Sequence, residues 1–394
     1  MTQRIPMAHP DLTTAEVAAV TQVLQTPFLS IGPQITAFEQ AVGSYIGARY
    51  AIGVNSGTSG LHLCIIAAGI KEGDLVITTP FSFIASANCI LYERAVPIFV
   101  DIDPQTLNID PTQVATAADD LTSDGDGATR WLPPAMRHLP PTTRRLKAIL
   151  PVDVFGQPAD TDPIRQVAER HDLFIIEDAC EAIGAEYKGR KAGTLGDAAV
   201  FAFYPNKQMT TGEGGMIVTD RDDWAALFRS LHNQGRDIFN TWLDHSRLGY
   251  NYRLDEMSAA LGLTQMQRLD ELLAKREQVA QWYSERLADA ELIELPRIAP
   301  TTTRTSWFVY VIQIKPPANR NEIMRKLAEA DIPSRLYFTP IHLQSFYRQK
   351  FGYQRGDLPI TEYISDVTLA LPFSGVMTEE QVDYVCQQLQ KSMP

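Results

Sequence analysis

Between Ile35 and Gly215 the chain alternates short apolar runs with stretches whose apolar residues recur every three or four positions. No other feature constrains the fold as tightly, because strands separated by helices pair in parallel and are covered on both faces. AIGV (Ala51–Val54), LVITT (Leu75–Thr79), AVPIFVDI (Ala95–Ile102), KAILPVDVF (Lys147–Phe155), LFIIED (Leu173–Asp178), AVFAF (Ala199–Phe203) and GMIVTD (Gly215–Asp220) read as strands. The expected fold class is α/β with a mainly parallel central sheet. Ligands of such sheets gather at the carboxyl ends of the strands, so chemistry is sought in the residues that follow each run.

Two regions depart from this rhythm. Asp119–Arg145 is rich in Pro, Thr, Asp and Gly and has no clear period, which predicts a long surface loop. After Arg253 a strongly helical segment follows, expected to link two domains, and then SWFVYVIQI (Ser306–Ile314) as a strand and NEIMRKLAEADI as a helix of a smaller α/β unit. The net charge of -12 argues against a nucleic-acid partner, which needs clustered cations. No run of about eighteen apolar residues occurs, so no membrane span is expected. The opening MTQRIPMAHPDLTTAEV lacks a signal-peptide pattern, and the four cysteines (Cys64, Cys89, Cys180, Cys386) lie far apart with no CxxC pair. Both features suit a reducing cytoplasm and no zinc site.

Four local signals fall at strand ends. Asn55-Ser56-Gly57-Thr58-Ser59-Gly60 opens a helix, where small residues let backbone N–H groups approach a phosphate; alone, such a turn is as well read as a cap. Asp178 ends an apolar run, where a carboxylate holds a pyridine nitrogen protonated or caps a following helix. Lys207 follows AVFAF between aromatic and small residues, where desolvation makes a lysine a Schiff-base nucleophile, although most lysines are solvated surface charges. Phe83, within PFSFIASAN, either stacks on a flat heterocycle or packs in the core.

In this order the signals resemble the DegT/DnrJ/EryC1/StrS family of sugar aminotransferases over nearly the whole chain. The carrying motifs are NSGTSGLHL, PFSFIASAN, PIFVDIDPQTLNID, FGQPAD, IIEDACEAIGAEYKGRKAGTLGD, FAFYPNKQMTTGEGGMIVTD and GYNYRLDEMSAALG. The resemblance implies a fold-type I enzyme that uses pyridoxal 5'-phosphate, with a large cofactor domain over 1–265 and a small α/β domain over 266–394, the N-terminal residues packing on the latter. It implies transamination of a nucleotide-linked keto sugar by an amino-acid donor, glutamate by family expectation. Lys207 matches the lysine that carries the cofactor and shuttles the proton, and Asp178 the partner of the pyridinium nitrogen. Gly57, Thr58 and Ser59 match the phosphate cradle, and Phe83 the aromatic stacked on the ring. Asn251 resembles the residue that reaches a cofactor phosphate in the neighbouring protomer, which implies a homodimer with shared sites. Arg253, Tyr337 and His342 lie in segments similar to those lining the family's substrate entrance.

Three departures stand out. Glu181 replaces the usual Gln or His, Ala202 replaces the serine of FSF, and Asp119–Arg145 exceeds the family length. Related dehydratases carry a histidine at the lysine position, so Lys207 speaks against that reaction. A desulfurase would need a loop cysteine, and a non-catalytic regulator would not need the Asp178–Lys207 pair. His62 is expected to pack within its helix, while His232, in LHNQGR, is a candidate for the neighbourhood of the site. Neither shows metal-ligand spacing.

Overall fold

The computed structural model describes residues 5–123, 127–138, 145–237 and 244–394. Seven strands form the central sheet: β1 (Tyr50–Val54), β2 (Leu75–Thr78), β3 (Val96–Phe99), β4 (Leu146–Leu150), β5 (Phe174–Asp178), β6 (Ala198–Ala202) and β7 (Gly215–Thr219). Their order is β1-β7-β6-β5-β4-β2-β3, and only β7 runs against the others. The expected mainly parallel sheet is therefore present. Its strands are apolar throughout because both faces are covered. Val76, Leu150, Ile176, Val200 and Ile217 face one cluster, which includes Leu61, Trp224 and Phe228. On the other side Ile77, Ile149 and Ile175 pack with Val114, Ile164 and Val167, and Phe201 and Met216 pack with Phe38 and Val42.

The helices that flank the sheet are α1 (Thr14–Val23), α2 (Pro33–Ile46), α3 (Gly57–Ala67), α4 (Ala85–Tyr92), α5 (Pro111–Thr122), α6 (Thr161–His171), α7 (Asp222–Leu231) and α8 (Glu256–Gln267). Helix α9 (Leu269–Leu287) follows α8 after a break at Arg268, so the helical segment beyond Arg253 is two helices. Its first turns, Leu269, Leu272 and Leu273, pack beneath the central sheet. Its later residues Val279, Ala280, Tyr283 and Leu287 belong to a second core. That core is built on a three-stranded antiparallel sheet of β8 (Ile293–Glu294), β9 (Tyr310–Ile314) and β10 (Thr368–Leu371) with helices α10 (Arg320–Glu329) and α11 (Glu379–Ser392). The N-terminal segment joins it: Ile5 packs in this core and Phe373 N–H donates to the Met7 carbonyl at 3.0 Å.

Several strand expectations are too long. KAILPVDVF is continuous strand only to Leu150, with a lone bridge from Val152 to Asp178 beyond it, and Val154–Gly156 is a 3-10 turn whose middle residue, Phe155, has φ of 60°. SWFVYVIQI becomes strand only at Tyr310, because Ser306 and Phe308 N–H groups donate to the carbonyls of Gly156 and Phe155. This diversion carries Phe308 toward the sheet's carboxyl edge.

The expectation of a long surface loop over Asp119–Arg145 is corrected for its described part; residues 124–126 and 139–144 lie outside the described residues. Helix α5 runs on to Thr122, Ala128–Trp131 makes one helical turn and Pro134–Met136 a 3-10 turn. Asp120 ties this stretch down, accepting from Arg130 at 2.6 Å and from the Trp131 indole at 2.7 Å. Leu132 is buried against the β2–β3 side of the core. Single turns anchored by isolated apolar residues leave no period to read. Leu132→Ala is expected to cost about 2–4 kcal/mol of stability, as core truncations do. A denaturant midpoint equal to wild type would return the segment to the status of a surface loop.

Candidate active site

Parallel pairing of β5 with β6 places Asp178 opposite Val200, so the ends of these two strands, with those of β1 and β2, open on one side. There a cavity of about 410 Å³ is lined by Gly57, Thr58, Phe83, Asp178, Glu181 and Lys207 among others. That volume lies in the range of small-molecule sites.

Asp178 is 4% exposed. Its Oδ2 accepts from the Ser86 hydroxyl at 2.7 Å and its Oδ1 from the Cys180 N–H at 3.2 Å. The residues after it form turns, with no helix to cap, so the capping alternative is set aside. Lys207 lies beyond β6 in a turn closed by its N–H to the Tyr204 carbonyl at 2.9 Å. Its Nζ is 3.5 Å from Glu181 Oε1 and 3.9 Å from the centroid of the Phe308 ring. Glu181 Oε2 accepts from Phe155 N–H at 3.0 Å. Burial raises the Glu181 pKa and the Lys207 charge opposes the rise; losing that cation favours the protonated acid.

At the end of β1, Ser56 caps α3 by accepting from Ser59 N–H at 3.1 Å, and its carbonyl takes Gly60 N–H. Of the first turn, the N–H groups of Gly57 and Thr58 remain for a ligand, and a helix N-terminus favours an anion there. A Cβ on Gly57 would stand 2.8 Å from Ala202 Cβ and 2.8 Å from Cys180 Sγ, so glycine is required by space. The Ser59 hydroxyl is turned away, donating to Asn55 Oδ1 at 2.7 Å, and does not line the cavity. Phe83 is 64% exposed at the cavity wall, which overturns core packing as its role. A buried carboxylate, a reachable amine, an open helix end and an aromatic face together fit a pyridine aldehyde bearing a phosphate.

The remaining candidates divide. Tyr337 lines the cavity, its phenol pushed up to about 12 by burial and by the Glu181 charge. His342 does not: it is fully buried, with Nε2 3.1 Å from Glu362 Oε1 and its ring against Tyr353. Its apolar neighbours draw it into the core and away from any entrance. Arg253 donates to Asn233 Oδ1 at 2.9 Å and does not line the cavity of this chain. Asn251 is exposed, its carbonyl 3.4 Å from Asn55 Nδ2, and also lies outside that cavity. His62 is packed within α3 as expected, between Tyr252 and Glu93. His232 bonds back to the Phe228 carbonyl at 2.9 Å, and burial lowers its pKa to about 4; it lines no part of the cavity.

Sequence reasoning missed Ser86, Cys180 and Phe308 as parts of the site. Ser86 sits within PFSFIASAN, one helical turn after Phe83, and that spacing is the signal that marks it. Among the described residues no cluster of three or more potential metal ligands occurs, and no helix is long and apolar enough to cross a membrane.

The chain is similar to known aminotransferases over nearly its whole length. The profile of the DegT/DnrJ/EryC1/StrS aminotransferase family matches residues 10–390. The GDP-perosamine synthase of Caulobacter vibrioides is 39% identical over 386 residues, covering 97% of this chain and 96% of its own. The spore coat polysaccharide biosynthesis protein SpsC of Bacillus subtilis is 34% identical over 396 residues, covering 97% and 95%. The crystal structure of S. venezuelae DesV in complex with a ketimine intermediate is 31% identical, with a TM-score of 0.85 over 99% of this chain and 98% of its own.

The cradle can be tested directly. Gly57→Ala is expected to weaken binding of pyridoxal phosphate to the apoprotein at least about tenfold, equivalent to ~1.4 kcal/mol. Titration of the cofactor absorbance measures it, with circular dichroism showing the fold retained. Unchanged affinity would remove the α3 N-terminus from the site.

Proposed function

The chain belongs to the DegT/DnrJ/EryC1/StrS aminotransferase family, whose cofactor is pyridoxal 5'-phosphate, and we propose that it moves the amine of an amino-acid donor, L-glutamate, onto the keto carbon of a nucleotide-linked 3- or 4-keto-deoxysugar. The observation that carries the proposal is the placement of Lys207 and Asp178 on one cavity, with the open end of α3 at its wall. The sugar-nucleotide class is supported by the relatives, one named a GDP-perosamine synthase and another a spore coat polysaccharide biosynthesis protein.

Pyridoxal phosphate, when bound, supplies an aldehyde that exchanges amines and a ring that accepts an electron pair. Gly57 and Thr58 would hold its phosphate and Phe83 would cover the ring. Asp178 would hold a proton on the ring nitrogen, and its two fixed hydrogen bonds keep the carboxylate in one orientation. Lys207 Nζ takes and returns the proton in each half of the exchange. Glu181 balances the ammonium form of that amine at 3.5 Å. Val152, Phe308 and Phe338 give the cavity apolar walls that exclude water. Cys180 also lines the cavity, but burial and the Asp178 charge push its thiol well above the ordinary range. A protonated thiol is a poor nucleophile, which disfavours desulfurase chemistry.

The test is a panel of keto sugar nucleotides assayed with glutamate, the products identified by mass. A mass gain corresponding to exchange of a carbonyl oxygen for an amine is expected with at least one member, and none with Lys207→Ala. Turnover in Lys207→Ala near wild type would overturn the proposal.

A homodimer with shared sites belongs to the same reading, with Asn251 reaching the phosphate of the neighbouring copy. Lys207→Ala and Asn251→Asp are each expected to inactivate their own homodimers, the second by setting a carboxylate against the phosphate. When the two are denatured, mixed equally and refolded, half the dimers are mixed and about a quarter of all sites carry neither defect. Turnover is expected to return to roughly that fraction. No recovery in proven heterodimers would place both residues in one chain's site.

A further inference from the structure

Arg276, on α9, is 4% exposed and has no carboxylate partner among the described residues. Taking a guanidinium out of water is costly unless every part of it is answered. Here the answer is four backbone carbonyls and one ring. Nη2 donates to the Lys207 carbonyl at 2.6 Å and to that of Asn206 at 3.3 Å. Nη1 donates to the carbonyls of Trp307 and Phe308, each at 3.2 Å. The guanidinium carbon lies 5.6 Å from the Phe373 ring centroid. Burial without a counter-ion lowers its pKa to about 10.

The two pairs of carbonyls come from segments a hundred residues apart in sequence, and both carry the reactive lysine's surroundings. One bears the Lys207 amine. The other bears Phe308, whose ring centroid lies 3.9 Å from that amine. A helix residue needed only for packing at this depth would be apolar, as its neighbours Leu272, Leu273 and Val279 are. A planar fork with donors on two sides is what bridging two carbonyl pairs requires, and an ammonium cannot do it from one point.

We propose that Arg276 is a positioning residue for Lys207: it clamps the lysine turn to the 307–308 segment and so fixes the amine between Glu181 and the Phe308 ring. The inference rests on Lys207 as the cofactor-bearing amine. Its effect is on how readily that amine reaches its target, so the reading is the rate at which the apoprotein captures pyridoxal phosphate. In that step the Lys207 nitrogen bonds the aldehyde carbon and the aldehyde oxygen leaves as water.

Arg276→Met keeps much of the bulk and removes the fork. Capture, followed by the absorbance of the lysine-linked cofactor, is expected to slow at least about tenfold, with kcat falling in parallel and KM for both substrates within about twofold. Arg276→Lys, which restores charge and one or two donors, is expected to recover part of the capture rate. Leu389→Ala, in the same core and clear of the clamp, is the control for lost stability. It is expected to lower the melting temperature while leaving the capture rate within twofold of wild type. If Arg276→Met does not fold, Arg276→Lys is compared with Leu389→Ala on the same measurements. Capture and kcat within twofold of wild type in the Arg276 variant, or equal slowing in Leu389→Ala, would overturn the proposal and leave Arg276 a structural tie. Lysine-linked absorbance persisting in Lys207→Ala would instead overturn the assignment of Lys207 itself.

Discussion

Everything at the site depends on the parallel pairing of Ile176–Asp178 with Ala198–Val200. Because the two strands run the same way, both chains leave the sheet on one side, and their first irregular residues share a rim. Asp178 is the last residue of one strand, and Lys207 lies five residues beyond the end of the other. The antiparallel strand β7 then returns beside β6 and brings Gly214 to the same rim. The chain just beyond neighbouring β4 contributes Val152, which bridges Asp178, and β1 delivers the α3 N-terminus. One register error here would turn every apolar residue of β5 to the opposite face and move the carboxylate with it.

Placing charged groups at a buried rim has consequences behind it. Asp153 and Glu177 are both buried next to Asp178, and burial raises the pKa of each. Glu177 accepts from Gly193 and Leu195 N–H groups at 2.6 and 2.9 Å, which favours its charged form. Asp153, with burial and the Glu177 charge both acting on it, is pushed the further toward its protonated form. On the far side Arg276 adds an unneutralised cation behind Lys207. The site is held by polar groups satisfied through backbone, and few of them can be exchanged singly without leaving a buried partner unmet.

How much of this was legible follows the range of the forces involved. The strands were readable as elements because strands covered on both faces are continuous apolar runs, and Asp178 closes one of them; the end of β4 was overrun because apolar residues continue beyond Leu150. The α3 turn was readable because Ser56 and Gly57 obey local capping and steric rules. Phe83 was readable as an aromatic, but not as an exposed one, since the turn that lifts it out of the core depends on the strand end before it. Phe308 was hidden inside SWFVYVIQI, whose uniform apolar character conceals the contacts to Gly156 and Phe155 that divert its first half. Arg276 stands in KREQ, which reads as the solvated face of an amphipathic helix. Its burial is set by residues about seventy positions before it and thirty after. His342 failed for the same reason, its partner Glu362 lying twenty residues on.

The cofactor's phosphate points to what a single chain lacks. A phosphate dianion carries nearly two charges, while a helix N-terminus offers roughly half of one. Among the described residues lining the cavity, Lys207 is the only cation, and it serves the other end of the chemistry. Ala202, at the end of β6 and on the cavity wall, brings no hydroxyl. The segment around Asn251 is fixed to this chain by backbone, through Asn55 N–H to the Tyr252 carbonyl at 2.8 Å and the bridges Val54–Arg253 and Asn233–Asn251. A residue held this firmly by its backbone and yet exposed is well placed to donate to a neighbour. Phe83 is likewise apolar and exposed at the cavity wall, beside a subsite short of donors. A second copy covering that wall would dry the Phe83 face and supply the missing donor in one contact, so the proposed dimer and the proposed chemistry answer the same deficit.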